Sequence, residues 1–261
     1  MKKIIFLILT LVLVNQYIFG QTSSTHKLQM GIVLSSGLNF SKMNTRLASG
    51  NVGTDLTIGM NVVKNINDNL GFITGIEFDF SRMNYKLQDS LYYQYVDAKI
   101  ETKQGLTTNS SRFQVTDRTQ TPIYLSVPTM FVFRTDYFGY NRYFAKFGMR
   151  HSFALKSQTD DKGFDKNSTT STTLTNMDLP SDLSIYKGSF GIAGGMEWNY
   201  YGSSTMVFEL GYYYGINNIH RGNALVGDKE KNMSLMQGSK STYTTLSNTQ
   251  NQLTLKVSFL F

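Results

Sequence analysis

Apolar and polar residues alternate along eight stretches of this chain, most cleanly at its C-terminus. There Leu253, Leu255, Val257, Phe259 and Phe261 fall on one face and Gln252, Thr254, Lys256 and Ser258 on the other, with Leu260 alone out of step. A period of two is that of a β-strand with one apolar face. The third stretch sets Leu70, Phe72, Ile76, Phe78 and Phe80 against Gly71, Gly75, Glu77, Asp79 and Ser81. The sixth sets Phe190, Ile192, Met196, Trp198 and Tyr200 against Gly191, Ala193, Gly195, Glu197 and Asn199. The seventh sets Met206, Phe208, Leu210, Tyr212, Tyr214 and Ile216 against Glu209, Gly211 and Gly215. Residues 28–40, 55–63, 123–134 and 143–155 alternate at least in part.

A soluble sandwich also alternates, so the second face has to place the strands. It is rich in Gly, Ala and Ser with a few charges, and small residues suit the inside of a narrow barrel. Tyr143, Trp198 and Tyr200 near one set of strand ends, and Phe40, Tyr212 and Tyr214 near the other, fit two interfacial girdles. The links run short at 65–69, 135–142 and 201–204, where Asn, Asp and Gly supply turn geometry, and long at 41–54, 86–121, 156–186 and 218–248. That rhythm predicts an all-β fold, an eight-stranded antiparallel transmembrane β-barrel with short periplasmic turns and long extracellular loops. The long links are rich in Ser, Thr, Asn, Lys and Asp, which predicts solvated, mobile segments; part of the second or fourth could form a further hairpin.

At the N-terminus, basic Lys2 and Lys3 precede an apolar run over residues 4–14, too short to span a bilayer as a helix. Residues 1–20 therefore read as a signal peptide cleaved between Gly20 and Gln21, leaving 21–261 as the barrel domain. No second apolar run reaches helical spanning length, so a membrane role has to be carried by strands. A mean hydropathy of -0.23 is compatible with this, because only every second strand residue faces lipid. The chain has no Cys, which removes disulfides and thiolate metal sites.

Strand parity sends Glu77, Asp79, Arg134, Lys146, Arg150, Glu197, Glu209 and Lys256 to the lumen, acids and bases in equal number. Charges in so narrow a space need partners. A balanced set predicts a zipped network and a plugged barrel, the alternative being a gated polar path. Pro128 lacks a ladder donor in mid-strand and predicts a bulge. The Gly-rich run 188–195 has no following Lys-Ser/Thr pair and is not a phosphate loop.

Catalysis finds little to work with, since the three histidines are scattered. His151 has lipid-facing parity in the fifth strand, where a lipid hydrolase would need Ser and an orienting polar group on adjacent strands; His220 lies just past the seventh. Asp160, Asp161 and Asp165 do not match a calcium loop and read as a solvated acidic turn. No cofactor is expected. The net charge of +7 is diffuse, so nucleic acid is not an expected partner. Loop cations Arg221, Lys229 and Lys231 are candidates for attraction to lipopolysaccharide phosphates.

Three short pieces carry a family resemblance: Ile123-Tyr124-Leu125-Ser126-Val127-Pro128, Phe190-Gly191-Ile192-Ala193-Gly194-Gly195, and Tyr214-Gly215-Ile216-Asn217-Asn218-Ile219. With a terminal strand ending on Phe261, the chain resembles the PorT-like outer-membrane β-barrel proteins across residues 21–261. The resemblance implies insertion by the outer-membrane assembly machinery, with Phe259 and Phe261 in the recognised terminal strand. The family's name-giving member is associated with type IX protein secretion, and fold alone does not transfer that role. The expected function is a non-enzymatic outer-membrane anchor presenting extracellular loops, with Tyr92, Tyr93 and Tyr95 as contact candidates for an envelope protein. A narrow solute channel and an accessory part of a secretion system are the alternatives.

Overall fold

The computed structural model describes residues 28–43, 48–87, 91–93, 113–165, 169–178, 183–201, 204–220, 225–228, 243–245 and 248–261. The expected signal peptide and the lipopolysaccharide-contact candidates Arg221, Lys229 and Lys231 lie outside them. Eight long strands carry the fold: β1 (Leu28–Met43), β2 (Ala48–Asn65), β3 (Leu70–Leu87), β5 (Phe113–Arg134), β6 (Asn141–Asp165), β8 (Tyr186–Tyr201), β9 (Ser204–Gly215) and β12 (Asn248–Leu260). Short strands β4 (Leu91–Tyr93), β7 (Ser171–Asp178), β10 (Leu225–Asp228) and β11 (Tyr243–Thr245) lie between them.

Each long strand pairs antiparallel with the next, and β12 pairs back onto β1 from Gly31↔Leu260 to Met43↔Asn248. The ring leaves no long strand with a free edge, as a sheet in hydrocarbon requires. At one end the turns are tight. Asn67 Oδ1 accepts hydrogen bonds from the Leu70 and Asn69 amides at 2.6 and 3.1 Å, and Gly139 takes a positive φ of 66° before β6. The eight strands, the short periplasmic turns and the closing C-terminal strand are as the alternation predicts.

The strands run further than the alternation suggests at the opposite, extracellular end. β3 continues to Leu87, β5 starts at Phe113 and β6 reaches Asp165, all within segments expected to be loop. β7 adds to β6, while β10 pairs with both β11 and β4, so the fourth link does contain a hairpin. Pro128 makes no bulge. It pairs in register with Arg150, and β3 keeps one register on either side of it, from Thr74↔Thr129 to Glu77↔Ser126. The bulge in this region falls at Ile123/Tyr124.

Inward and outward faces follow parity. Leu34, Ile58, Ile76, Phe78, Phe131, Ile192, Leu210 and Leu255 are exposed on the outside, where lipid lies. Trp198 and Tyr200 pack with ring centroids 5.5 Å apart at the short-turn end, near Tyr143, and Tyr137, Phe138 and Tyr140 extend that belt. Phe40, Tyr212 and Tyr214 are exposed towards the other end. Leu260, out of step in the sequence, turns inward into a buried floor with Val63, Ile73, Met130, Val132, Phe144 and Val207.

Candidate functional site: the barrel interior

Strand parity delivers all eight expected lumen charges to one buried column. Glu77 and Asp79 sit on β3 with no solvent exposure. Arg150 on β6 bridges both, at 2.6 Å to each carboxylate, and Lys256 on β12 reaches across the lumen to Glu77 at 2.7 Å. Asp79 also accepts hydrogen bonds from Thr57 (2.8 Å) and Ser126, and the Ser126 hydroxyl lies 2.6 Å from that of Ser152. Small neighbours make this packing possible. A Cβ on Gly191 would lie 2.5 Å from the Tyr213 ring, which itself faces the Arg150 guanidinium at 5.4 Å.

Nearer the periplasmic end, Lys146 pairs with Glu209, and Glu197 holds Arg134 at 2.7 Å and Arg142 at 2.5 Å. Between these pairs and the apolar floor remains a cavity of about 20 Å³, room for a single water. In low dielectric an unpaired ion would cost several kcal/mol, so ion pairs and hydrogen bonds from Thr57 and Ser126 are what permit the column to be buried.

Five buried charges were not foreseen: Asp55, Arg118, Arg142, Asp161 and Lys187. With them the described residues bury six acids and seven bases, so the interior stays near neutrality. Arg118 and Asp161 are direct cross-strand partners on β5 and β6, joined by two hydrogen bonds of 2.7 Å. That corrects the solvated acidic turn: Asp161 is fully buried, and Asp160 accepts the Asn176 amide at 2.7 Å. Both lie in segments that read as loop, because polar composition there outweighs alternation. Arg142 ends the stretch 135–142 that reads as a turn. Lys187 lies at odd parity just before the stretch that starts at Phe190, and continuing that parity upward finds it; its ammonium sits 4.4 Å above the Tyr124 ring and donates to Gln250 at 3.2 Å.

Above the charges a second buried cluster closes the extracellular end: Met83, Tyr85, Leu87, Phe113, Val115, Leu174, Met177, Leu183 and Ile219. His220 belongs here too, buried edge-on to Tyr85 at 5.6 Å, and not on an outer loop surface. Together these groups are suited to filling a lumen. No cluster of three or more His, Asp or Glu able to hold a metal occurs among the described residues.

Other expected positions lie outside this column. Phe259 is exposed on the lipid side of β12, with Phe261 just beyond the strand end. Tyr92 and Tyr93 lie in β4, paired with β5 and β10, and Tyr95 falls outside the described residues. His151 is on the outer face, as its parity predicts. Its Nδ1 is 2.9 Å from the Tyr186 hydroxyl and its Nε2 3.4 Å from Thr129 Oγ1.

A profile of the outer membrane protein beta-barrel domain matches residues 19–221. Among solved structures, the chain is similar to the outer membrane protein OprG from Pseudomonas aeruginosa: 9% identity, 90% of this chain and 95% of that one covered, TM-score 0.41. It is also similar to Ail, the attachment invasion locus protein of Yersinia pestis (11%, 89% and 98%, TM-score 0.32), and to the outer membrane protease OmpT of Escherichia coli (10%, 92% and 98%, TM-score 0.36). No curated protein matches.

Proposed function

Since the chain belongs to the outer membrane protein β-barrel domain family, we propose that it serves in the outer membrane as a closed, non-enzymatic anchor for an extracellular platform. The observation that carries this reading is the filled lumen. Arg150 and Lys256 tie β3 to β6 and β12 through Glu77 and Asp79, with apolar clusters above and below. A solute would have to break several buried ion pairs to pass, each costing about 3–5 kcal/mol when one partner is lost.

The platform is the set of strands projecting past the lipid boundary, with β4, β7, β10 and β11 added to it. Specificity then resides outside the lumen, as is usual where a rigid scaffold carries loops. Tyr92, Tyr93 and Tyr95 are its proposed contact for an envelope protein. Replacing all three with Ser should abolish capture while leaving heat-modifiable migration of the barrel unchanged. The PorT-like resemblance supports a place in this narrower group through the three motifs on β5, β8 and β9. Export by a leader cleaved before Gln21 is supported by Lys2, Lys3 and the apolar run after them. Recognition by the assembly machinery is supported by Phe259 and Phe261.

Planar-bilayer recording on refolded residues 21–261 tests the closed lumen. The anchor reading expects silence from a barrel whose folding is verified by gel shift. Stable single-channel steps would replace it with a narrow solute channel.

A further inference from the structure

The outer wall is not uniform. On the lipid side of β6, β8 and β9 the outward side chains shrink to Ala145 and Gly194. They leave a groove of about 500 Å³ walled by Phe133, Phe147, Ile192, Leu210, Tyr212 and Leu253. At Gly194 the space is open: an added Cβ would meet nothing nearer than the Phe144 carbonyl at 3.5 Å. A larger side chain would therefore fit there, so backbone crowding does not account for the glycine. The groove is continuous with the lipid-facing surface, with Tyr212 of the extracellular-side aromatic belt in its wall.

Four residues up β6 from Phe147 in the groove wall, about 13 Å along the strand, that same face carries the polar trio Thr129, His151 and Tyr186. The Thr129 hydroxyl donates to the Met149 carbonyl at 3.2 Å, so it accepts from His151 Nε2–H, and His151 Nδ1 then accepts the Tyr186 O–H. This directionality leaves the Tyr186 oxygen as an unused acceptor facing lipid. It also commits the Thr129 proton to backbone, which argues against a nucleophile. Met149 and Phe190 make an apolar path between groove and trio. Above the trio, exposed Lys156 supplies a cation where the apolar face ends.

From these features we infer a lipid-binding site on the outer wall, and its occupant is one lipopolysaccharide molecule of the outer leaflet. An acyl chain lies in the groove, a hydroxyl or amide N–H near the head of that chain donates to Tyr186, and a phosphate approaches Lys156. The vertical order of apolar groove, acceptor and cation matches the polarity of such a lipid. Glycerophospholipids carry phosphate and esters but no donor at the depth of the trio, which is why the acceptor favours lipopolysaccharide. The inference rests on the outer face meeting lipid, and is independent of whether the lumen conducts.

The test is native mass spectrometry of the folded full chain released from nanodiscs containing both lipopolysaccharide and phospholipid. Retained lipopolysaccharide is expected on the wild type, falling about tenfold in Gly194→Leu, which fills the groove, and in Tyr186→Phe, which removes only the acceptor. Ile58→Phe, on a distant part of the outer wall, should retain it fully. Both site variants keep the outer face apolar, and heat-modifiable migration reports that they fold. Equal retention by wild type and both variants, no retention by the wild type, or retention of phospholipid alone would overturn the site.

Discussion

Below Ser81, β3 turns charge inward and hydrocarbon outward; above it the same strand does the reverse. Glu77, Asp79 and Ser81 face the lumen, while Ile76, Phe78 and Phe80 face out. Two residues later Met83, Tyr85 and Leu87 are buried inside, and Arg82 and Lys86 are exposed outside. Backbone geometry and pairing persist through the change, with Met83↔Gln120 and Tyr85↔Arg118 still on the ladder to β5. What changes is the solvent. In hydrocarbon the outer face has to be apolar and the polar groups retreat to the lumen, where they satisfy each other. In water the ordinary rule of a globular core returns. On β3 the two chemistries divide at the lipid boundary, while β5 and β6 carry the buried Arg118–Asp161 pair into the extracellular half.

Four substitutions would sharpen that division, measured by chemical unfolding of the protein in liposomes. The largest effect is expected from Glu77→Ala, which strands Arg150 and Lys256 without their shared partner and should cost about 3–5 kcal/mol. Phe78→Lys puts a charge in hydrocarbon at outward parity and should cost about 2–4 kcal/mol. Met83→Ala opens a cavity in the extracellular core. It should cost at least about 2 kcal/mol, felt as local opening: faster hydrogen exchange or protease cutting above Ser81, with the membrane half protected. Lys86→Ala, on the same outward parity as Phe78 but in water, should stay within about 0.5 kcal/mol. If Phe78→Lys proved as mild as Lys86→Ala, the boundary would be misplaced.

The membrane half was legible in the sequence because two constraints acted together. Lipid demands an apolar residue at every second position, and the narrow lumen demands small residues or paired charges at the rest, so Glu77, Asp79, Arg150 and Lys256 could be placed by parity. On β3 the strand past Lys86 reads as loop because its alternation above Ser81 runs in the opposite phase. Arg82, Met83, Asn84, Tyr85, Lys86 and Leu87 alternate as strictly as Ile76 to Phe80, one residue out of step. In segments 86–121 and 156–186 polar composition outweighs alternation and reads as loop, which hides the buried pair Arg118 and Asp161. Pro128 failed for another reason: a missing donor removes one ladder bond, and the pairing with β6 keeps the register without an extra residue. The polar trio at His151 was beyond reach because it joins Thr129, His151 and Tyr186 from three strands.

The most direct measurement is a nitroxide scan of β3 from Ile76 to Leu87 in lipid bilayers, reading collision with oxygen, which favours lipid, and with a water-soluble nickel complex. Labels at 76, 78 and 80 should favour oxygen and those at 82, 84 and 86 the nickel complex, while 83, 85 and 87 remain shielded from both. Free access of nickel to 83, 85 and 87 would contradict the account, since the chain above Ser81 would then be a solvated loop and not a strand with its own core.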